Sequence, residues 1–215
     1  HMTNTLIGKV YKQRNKENKL PIAKSKFGDD VMGHGVNRPY LIFYSDDKVY
    51  YLSAKSVNDK NRKTTDDDKG NLILKTDLYG NDKEIAIDCS VINVMDRKLF
   101  ESLYVEDSEW NNVQTSADIY DKVMHKLYEN LNDIQYFEID SFSDTQTNWK
   151  FRDEGLKNKK VCEAIIKNYC IYFSKQLSDQ IINNMKDLFF KDLEYKYKNI
   201  IYESQKEERE FTLKL

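Results

Sequence analysis

Glycine and proline are confined to the front of this chain: six of its seven glycines and both prolines lie within the first eighty residues, and only Gly155 follows. Turns that need left-handed or rigid backbone are therefore available at the front and scarce behind it, which predicts a strand-and-turn segment followed by a helical one. Hydrophobic patterning agrees. Leu6 to Tyr11, Tyr40 to Ser45, Lys48 to Ala54, Asn71 to Lys75, Glu84 to Asp88 and Ile92 to Met95 read as short strands. The second and third are joined across Asp46-Asp47, which suits a tight hairpin. No helical stretch separates these strands, so an antiparallel barrel is expected over an open parallel sheet. Asn58 to Gly70 reads as a charged loop whose aspartates are solvated, and Tyr79 to Asp82 as a turn.

Beyond Asp96 the period becomes helical. Arg97 to Tyr104 is a short helix, and Thr115-Ser116-Ala117-Asp118 supplies an N-cap for a second, in which Ala117, Tyr120, Met124, Leu127, Tyr128 and Leu131 share a face. Residues 132–155 read as an irregular aromatic connector, and 158–209 as two long helices or one bent one. The expected architecture is α+β: a small antiparallel barrel with its helix over residues 3–131, and a helical extension packed on it over residues 132–215.

Charge is distributed unevenly. The formal net charge is −2, yet residues 1–104 carry +3 and residues 105–215 carry −5. Lys9 to Lys26 alone holds Lys9, Lys12, Arg14, Lys16, Lys19, Lys24 and Lys26 against the single acid Glu17, a segment that attracts polyanions. Cys89, Cys162 and Cys170 form no CxxC pair and sit in apolar surroundings, which suits reduced thiols and gives no zinc spacing. No metal and no cofactor is expected. Neither a signal-like N-terminus nor a run long enough to cross a bilayer is evident, so a soluble, cytoplasmic protein without a membrane partner is expected.

The chemistry centres on Gly33-His34-Gly35-Val36-Asn37-Arg38-Pro39-Tyr40. A glycine-rich loop delivers a guanidinium to the mouth of an apolar strand, and a permanently charged planar fork there can hold a phosphate. His34 has the ordinary imidazole range that suits proton transfer near neutrality. Tyr11, Tyr40, Tyr44, Tyr50 and Tyr51 offer stacking rings wherever strand alternation turns them outward. His125, beside the apolar stripe of its helix, reads as structural.

Three blocks occur in order: Gly8-Lys9-Val10-Tyr11; Arg38-Pro39-Tyr40-Leu41-Ile42 with a strand ending Leu52-Ser53-Ala54-Lys55-Ser56; and Ile87-Asp88-Cys89-Ser90-Val91-Ile92-Asn93-Val94-Met95-Asp96-Arg97-Lys98-Leu99. Together they resemble the MazF/PemK (Kid) toxin family over about residues 6–104; the remote ToxN/AbiQ toxins share that barrel. The resemblance implies an SH3-like barrel of the MazF/PemK/CcdB type. It implies a metal-independent endoribonuclease that cleaves single-stranded RNA through the substrate's own 2′-hydroxyl, restrained by a cognate antitoxin that is a protein or a repeat RNA. The family's usual assembly is a homodimer. Arg38 matches the family's catalytic arginine, and Ser53 and Ser56 compete for its strand-end hydroxyl. Lys55 supplies a second charge, and His34 is a candidate acid or base. Lys9, Lys12, Arg14, Lys24, Lys26 and Tyr11 belong to the first strand and the loop that would lie over RNA. A barrel that kept the fold and lost catalysis, serving as an RNA- or protein-binding module, is the alternative.

Overall fold

A computed structural model describes residues 6–13, 39–75, 83–106, 114–142, 147–150, 154–181 and 186–214. The loop carrying His34 and Arg38, the basic residues Arg14, Lys24 and Lys26, and the Tyr79 to Asp82 turn lie outside the described residues. Strands β2 (Tyr40–Ser45), β3 (Lys48–Ser56), β4 (Asn71–Lys75), β5 (Glu84–Asp88) and β6 (Val91–Asp96) fall close to the segments read from the sequence, whereas β1 (Val10–Gln13) begins four residues later than the expected Leu6 to Tyr11, because Ile7 and Gly8 form a turn. Helix α1 (Arg62–Asp67) forms inside the stretch read as a solvated loop, where Thr65 is buried. Helix α2 (Arg97–Leu103) is capped by the Asp96 carboxylate, which accepts from Leu99 N–H, and leads into β7 (Tyr104–Glu106). Helix α3 (Ala117–Glu129) is capped by Ser116, as its N-cap spacing predicts.

Residues 132–155 do not form an irregular connector. They supply β8 (Gln135–Phe142) and β9 (Thr147–Lys150), which extend the sheet. β8 runs parallel to β6, from Val91↔Gln135 to Met95↔Ile139, with α3 in the crossover between them. The sheet is otherwise antiparallel, in the order β7-β1-β2-β3-β6-β8-β9, with β5 and β4 branching from the second half of β3. Among the described residues these ladders do not close into a barrel. β8 takes the edge of β6 away from β3 and prolongs the sheet. Behind it come α4 (Glu154–Asn168), a π-helical turn at Tyr169–Phe173, α5 (Ser174–Ile181) and α6 (Lys186–Leu213).

Both faces of the sheet are covered. One packs Leu41, Leu52, Ile87, Ile92 and Val94 against Tyr120, Val123 and Leu127 of α3, Ile165 of α4 and Phe190 of α6. The other packs Tyr11, Tyr40, Ile42, Val49, Tyr51 and Met95 against Phe100 of α2. Consequently Tyr11, Tyr40, Tyr44, Tyr50 and Tyr51 are all buried, and none presents an open ring. The β2–β3 ladder slips between Ile42 and Tyr44, so Phe43 and Tyr44, although consecutive, both enter the helix-covered core.

Gly8 turns the chain into β1 with φ +77, and the Phe190 ring lies so near that an added Cβ would meet it at 2.2 Å. Gly8→Ala therefore combines a strained backbone with overpacking and should cost about 2–4 kcal/mol in urea unfolding. A stability equal to the parent's would show that the turn relaxes away from α6. Burial, aided by the neighbouring Asp47, raises the Asp46 carboxyl from 3.8 to about 6, against the opposing pull of the Lys48 N–H that it accepts at 2.7 Å. A raised folded-state pKa means that the stability gained on protonation is complete below about pH 4 and is lost as pH rises through 6. Asp46→Asn keeps an acceptor and removes the charge, so its melting temperature should exceed the parent's at pH 7.5 by more than it does at pH 5. An equal difference at both pH values would show that the charge carries no such cost.

Candidate functional site

The described part of the site is the end of β3, and register decides what meets there. Ser53 stands opposite Tyr40, and Ala54 N–H donates to the Pro39 carbonyl at 3.0 Å. Pro39 is thus seated beside the strand end, and in the sequence it directly follows Arg38. On its other edge β3 leaves β6 after Tyr51 and pairs with β5 through Ala54↔Ile87, Lys55↔Ala86 and Ser56↔Ile85. The strand end is held from both sides by backbone ladders, a rigid support for any side chain it carries.

Alternation separates the two candidate serines. Ala54 and its partner Ile87 belong to the helix-covered core, as does Ile85 opposite Ser56. Ser56 shares that face, at an exposed position, whereas Ser53 and Lys55 lie on the α2 face. Ser53 is only 6% exposed, and Lys55 is half-buried beyond it. Inward from Ser53 the same face carries Tyr51 opposite Asn93, a wholly buried amide between the apolar Ile92 and Val94. Tyr40 and Tyr51 meet edge to face at 5.5 Å, and Tyr104 meets Tyr40 in the same way at 5.3 Å. Burial pushes the Tyr51 and Tyr104 hydroxyls well above the ordinary phenol range. They stay neutral beneath the strand end. Tyr40, Tyr51 and Asn93 are far apart in the sequence, and only register brings them to one face; Tyr104 carries no sequence signal beyond its place in a helical pattern.

The first strand is engaged structurally. Lys9 Nζ donates to Glu106 Oε1 at 2.6 Å, tying the start of β1 to β7. Lys12 stands opposite Val105 in the same ladder and is half-buried. The Tyr11 ring packs edge to face on Phe100 at 5.2 Å, while burial and then the Glu106 carboxylate raise its hydroxyl above the usual range. Tyr11 is in this way a core residue with a polar tip at the β7 edge.

Elsewhere, His125 is exposed on α3, with Nδ1 at 2.8 Å from the Asp121 carbonyl and its ring against Tyr169. Cys89, Cys162 and Cys170 are free thiols, and burial pushes the Cys170 thiol up to about 12. Among the described residues no group of three or more His, Cys, Asp or Glu is placed to hold a metal ion, and no helix is long and apolar enough to cross a membrane. A rigid strand end bearing a hydroxyl and an ammonium, beside the residue that follows an arginine, can grip one tetrahedral anion through charge-assisted hydrogen bonds. The chain matches no family profile, no curated protein and no solved structure.

Proposed function

We propose that this chain is a metal-independent endoribonuclease of the MazF/PemK type: a toxin with an SH3-like core in β1 to β6 that cleaves single-stranded RNA and is restrained by a cognate antitoxin, protein or repeat RNA. The observation that supports this reading is the hydrogen bond that Ala54 N–H donates to the Pro39 carbonyl, which seats Pro39, the residue that follows Arg38 in the sequence, beside the Ser53-Ala54-Lys55 strand end. In the reaction the substrate's 2′-hydroxyl attacks the adjacent phosphorus, the 5′-oxygen of the next nucleotide leaves, and a 2′,3′-cyclic phosphate and a 5′-hydroxyl result. The protein's task is to align the phosphate, neutralise developing charge and move two protons. Arg38 clamps the phosphate, Lys55 adds a second cation, and His34 exchanges a proton. Ser53 is the strand-end hydroxyl donor in this reading, because it shares a face with Lys55, and Ser56 does not.

A second reading is supported by the small exposure of Ser53, 6%, and by the commitment of Lys9 to Glu106: a barrel-like module that binds RNA without cutting it. The two readings part in one experiment. Purified protein is incubated with a long single-stranded RNA in EDTA and the ends are mapped. The enzyme yields cyclic-phosphate ends, whereas the binder yields intact RNA and an affinity that falls steeply with salt. Arg38→Ala should lower the cleavage rate by roughly 10²–10³ while leaving the fold unchanged, the cost of removing one transition-state donor. Ser53→Ala should lower it by about tenfold, the worth of one hydrogen bond, while Ser56→Ala leaves it at the parent's rate. Parent-like cleavage by Arg38→Ala rejects the assignment.

A further inference from the structure

Helix α6 is anchored by one stripe, Phe189, Phe190, Leu193 and Tyr197, all buried in the helix-covered core. Its opposite stripe is uncovered. Leu188, Tyr195 and Tyr202 recur every seventh residue and are 55%, 67% and 69% exposed. Two helical turns separate them, so the tyrosine rings stand roughly 10 Å apart along the axis. Lys191, Lys198, Lys206 and Arg209 fall between and beyond them at three- and four-residue steps, and all four are exposed. Lys198, itself exposed, lies 3.4 Å from the half-buried Glu194 at one flank. On the other flank Asp192 is engaged by Lys196 at 2.9 Å. Exposed Asp187 borders the stripe four residues before Lys191, and Glu203 and Glu210 flank it within a turn of Lys206, while the positions between Leu188 and Arg209 on the stripe itself hold only rings and cations, although residues 105–215 carry a net −5. An otherwise acidic half of the chain has gathered cations and aromatic rings into a single ridge.

The chemistry of this ridge selects its occupant. A second copy laid on it would bring cations against cations. A protein helix needs a pocket in which to bury an anchoring side chain, and a convex ridge one residue wide offers none. Single-stranded nucleic acid needs only an open ring face for each stacked base and a cation near each phosphate. We propose that the outward face of α6 is a second RNA-binding surface, with bases stacked on Tyr195 and Tyr202 and phosphates met by Lys191, Lys198, Lys206 and Arg209. The helix covers the sheet face opposite Ser53 and Lys55, so this surface is separate from the strand end. The proposal rests on reading RNA as the ligand and does not depend on cleavage.

The test measures fluorescence anisotropy of a labelled single-stranded 2′-fluoro oligonucleotide, which lacks the attacking hydroxyl, with the full chain over a range of salt. Tyr195→Leu/Tyr202→Leu keeps apolar area and removes the π-faces; it should weaken binding by about tenfold or more, while Tyr195→Phe/Tyr202→Phe keeps the parent's affinity. Lys191→Glu/Lys206→Glu should weaken binding and reduce the salt slope by about 0.7 for each phosphate no longer neutralised. All of these positions are exposed, and circular dichroism checks that the fold is kept. Leucine and glutamate variants that bind as the parent does, while Lys55→Ala binds more weakly, would overturn this proposal and leave the RNA reading standing. A parent that binds no RNA at any salt would remove both. A parent that sediments as a dimer, turned monomeric by Tyr195→Leu/Tyr202→Leu, would overturn the proposal in favour of a second copy.

Discussion

The carbonyl of Phe43 is the point through which sheet and helices are joined. The ladder slip at this residue makes its oxygen reachable from the helix side, and Tyr120 Oη of α3 donates to it at 2.6 Å. With its proton so committed, the Tyr120 oxygen accepts from Tyr197 Oη of α6 at 3.0 Å. Strand, crossover helix and last helix are linked by two hydrogen bonds inside an apolar core, where an unpaired hydroxyl or carbonyl is costly. Around them Tyr120 meets Tyr169, Phe189 and Phe190 edge to face at 5.7 to 5.9 Å. The arrangement fixes α6 both by area and by direction.

That anchoring sets the character of the rest. With α3, α4 and α6 on one face and α2 on the other, the strands are buried on both sides, and their polar side chains gather at the strand ends. At one end of β3 the hairpin turn holds Asp46, and Lys48 pairs with Glu138 of β8 across the intervening β6. At the other, β3 passes from β6 to β5 and carries Ser53 and Lys55 beside Pro39. A strand end held by β2 as far as Ser53 and by β5 from Ala54 onward has little freedom, a rigid mounting for the groups that the proposed reaction would require.

The front strands were legible because alternating apolar residues and local turn chemistry both mark them. Tyr40–Ser45, Asn71–Lys75 and Glu84–Asp88 coincide with their sequence reading. The Ser116 cap was legible for the same local reason. β8 and β9 were not, since their partners lie on β6 and on each other, and residues 132–155 offer no alternation strong enough to show it. The five front tyrosines misled in a similar way. Period two says which residues share a face, but not whether a helix from later in the chain will cover that face.

The candidate site divides along the same line. The sequence by itself determined its ingredients: a glycine-rich run into Arg38-Pro39, a strand ending in two serines and a lysine, and a glycine at the first turn. These are properties of neighbouring residues, and backbone preference acts over that range. Tertiary structure alone decided that Ser53 rather than Ser56 shares Lys55's face, that Lys9 is held by Glu106, and that Gly8 is required by the ring of Phe190. Each of those depends on which distant segment packs alongside, and packing is settled by the whole chain's burial of apolar surface rather than by local sequence.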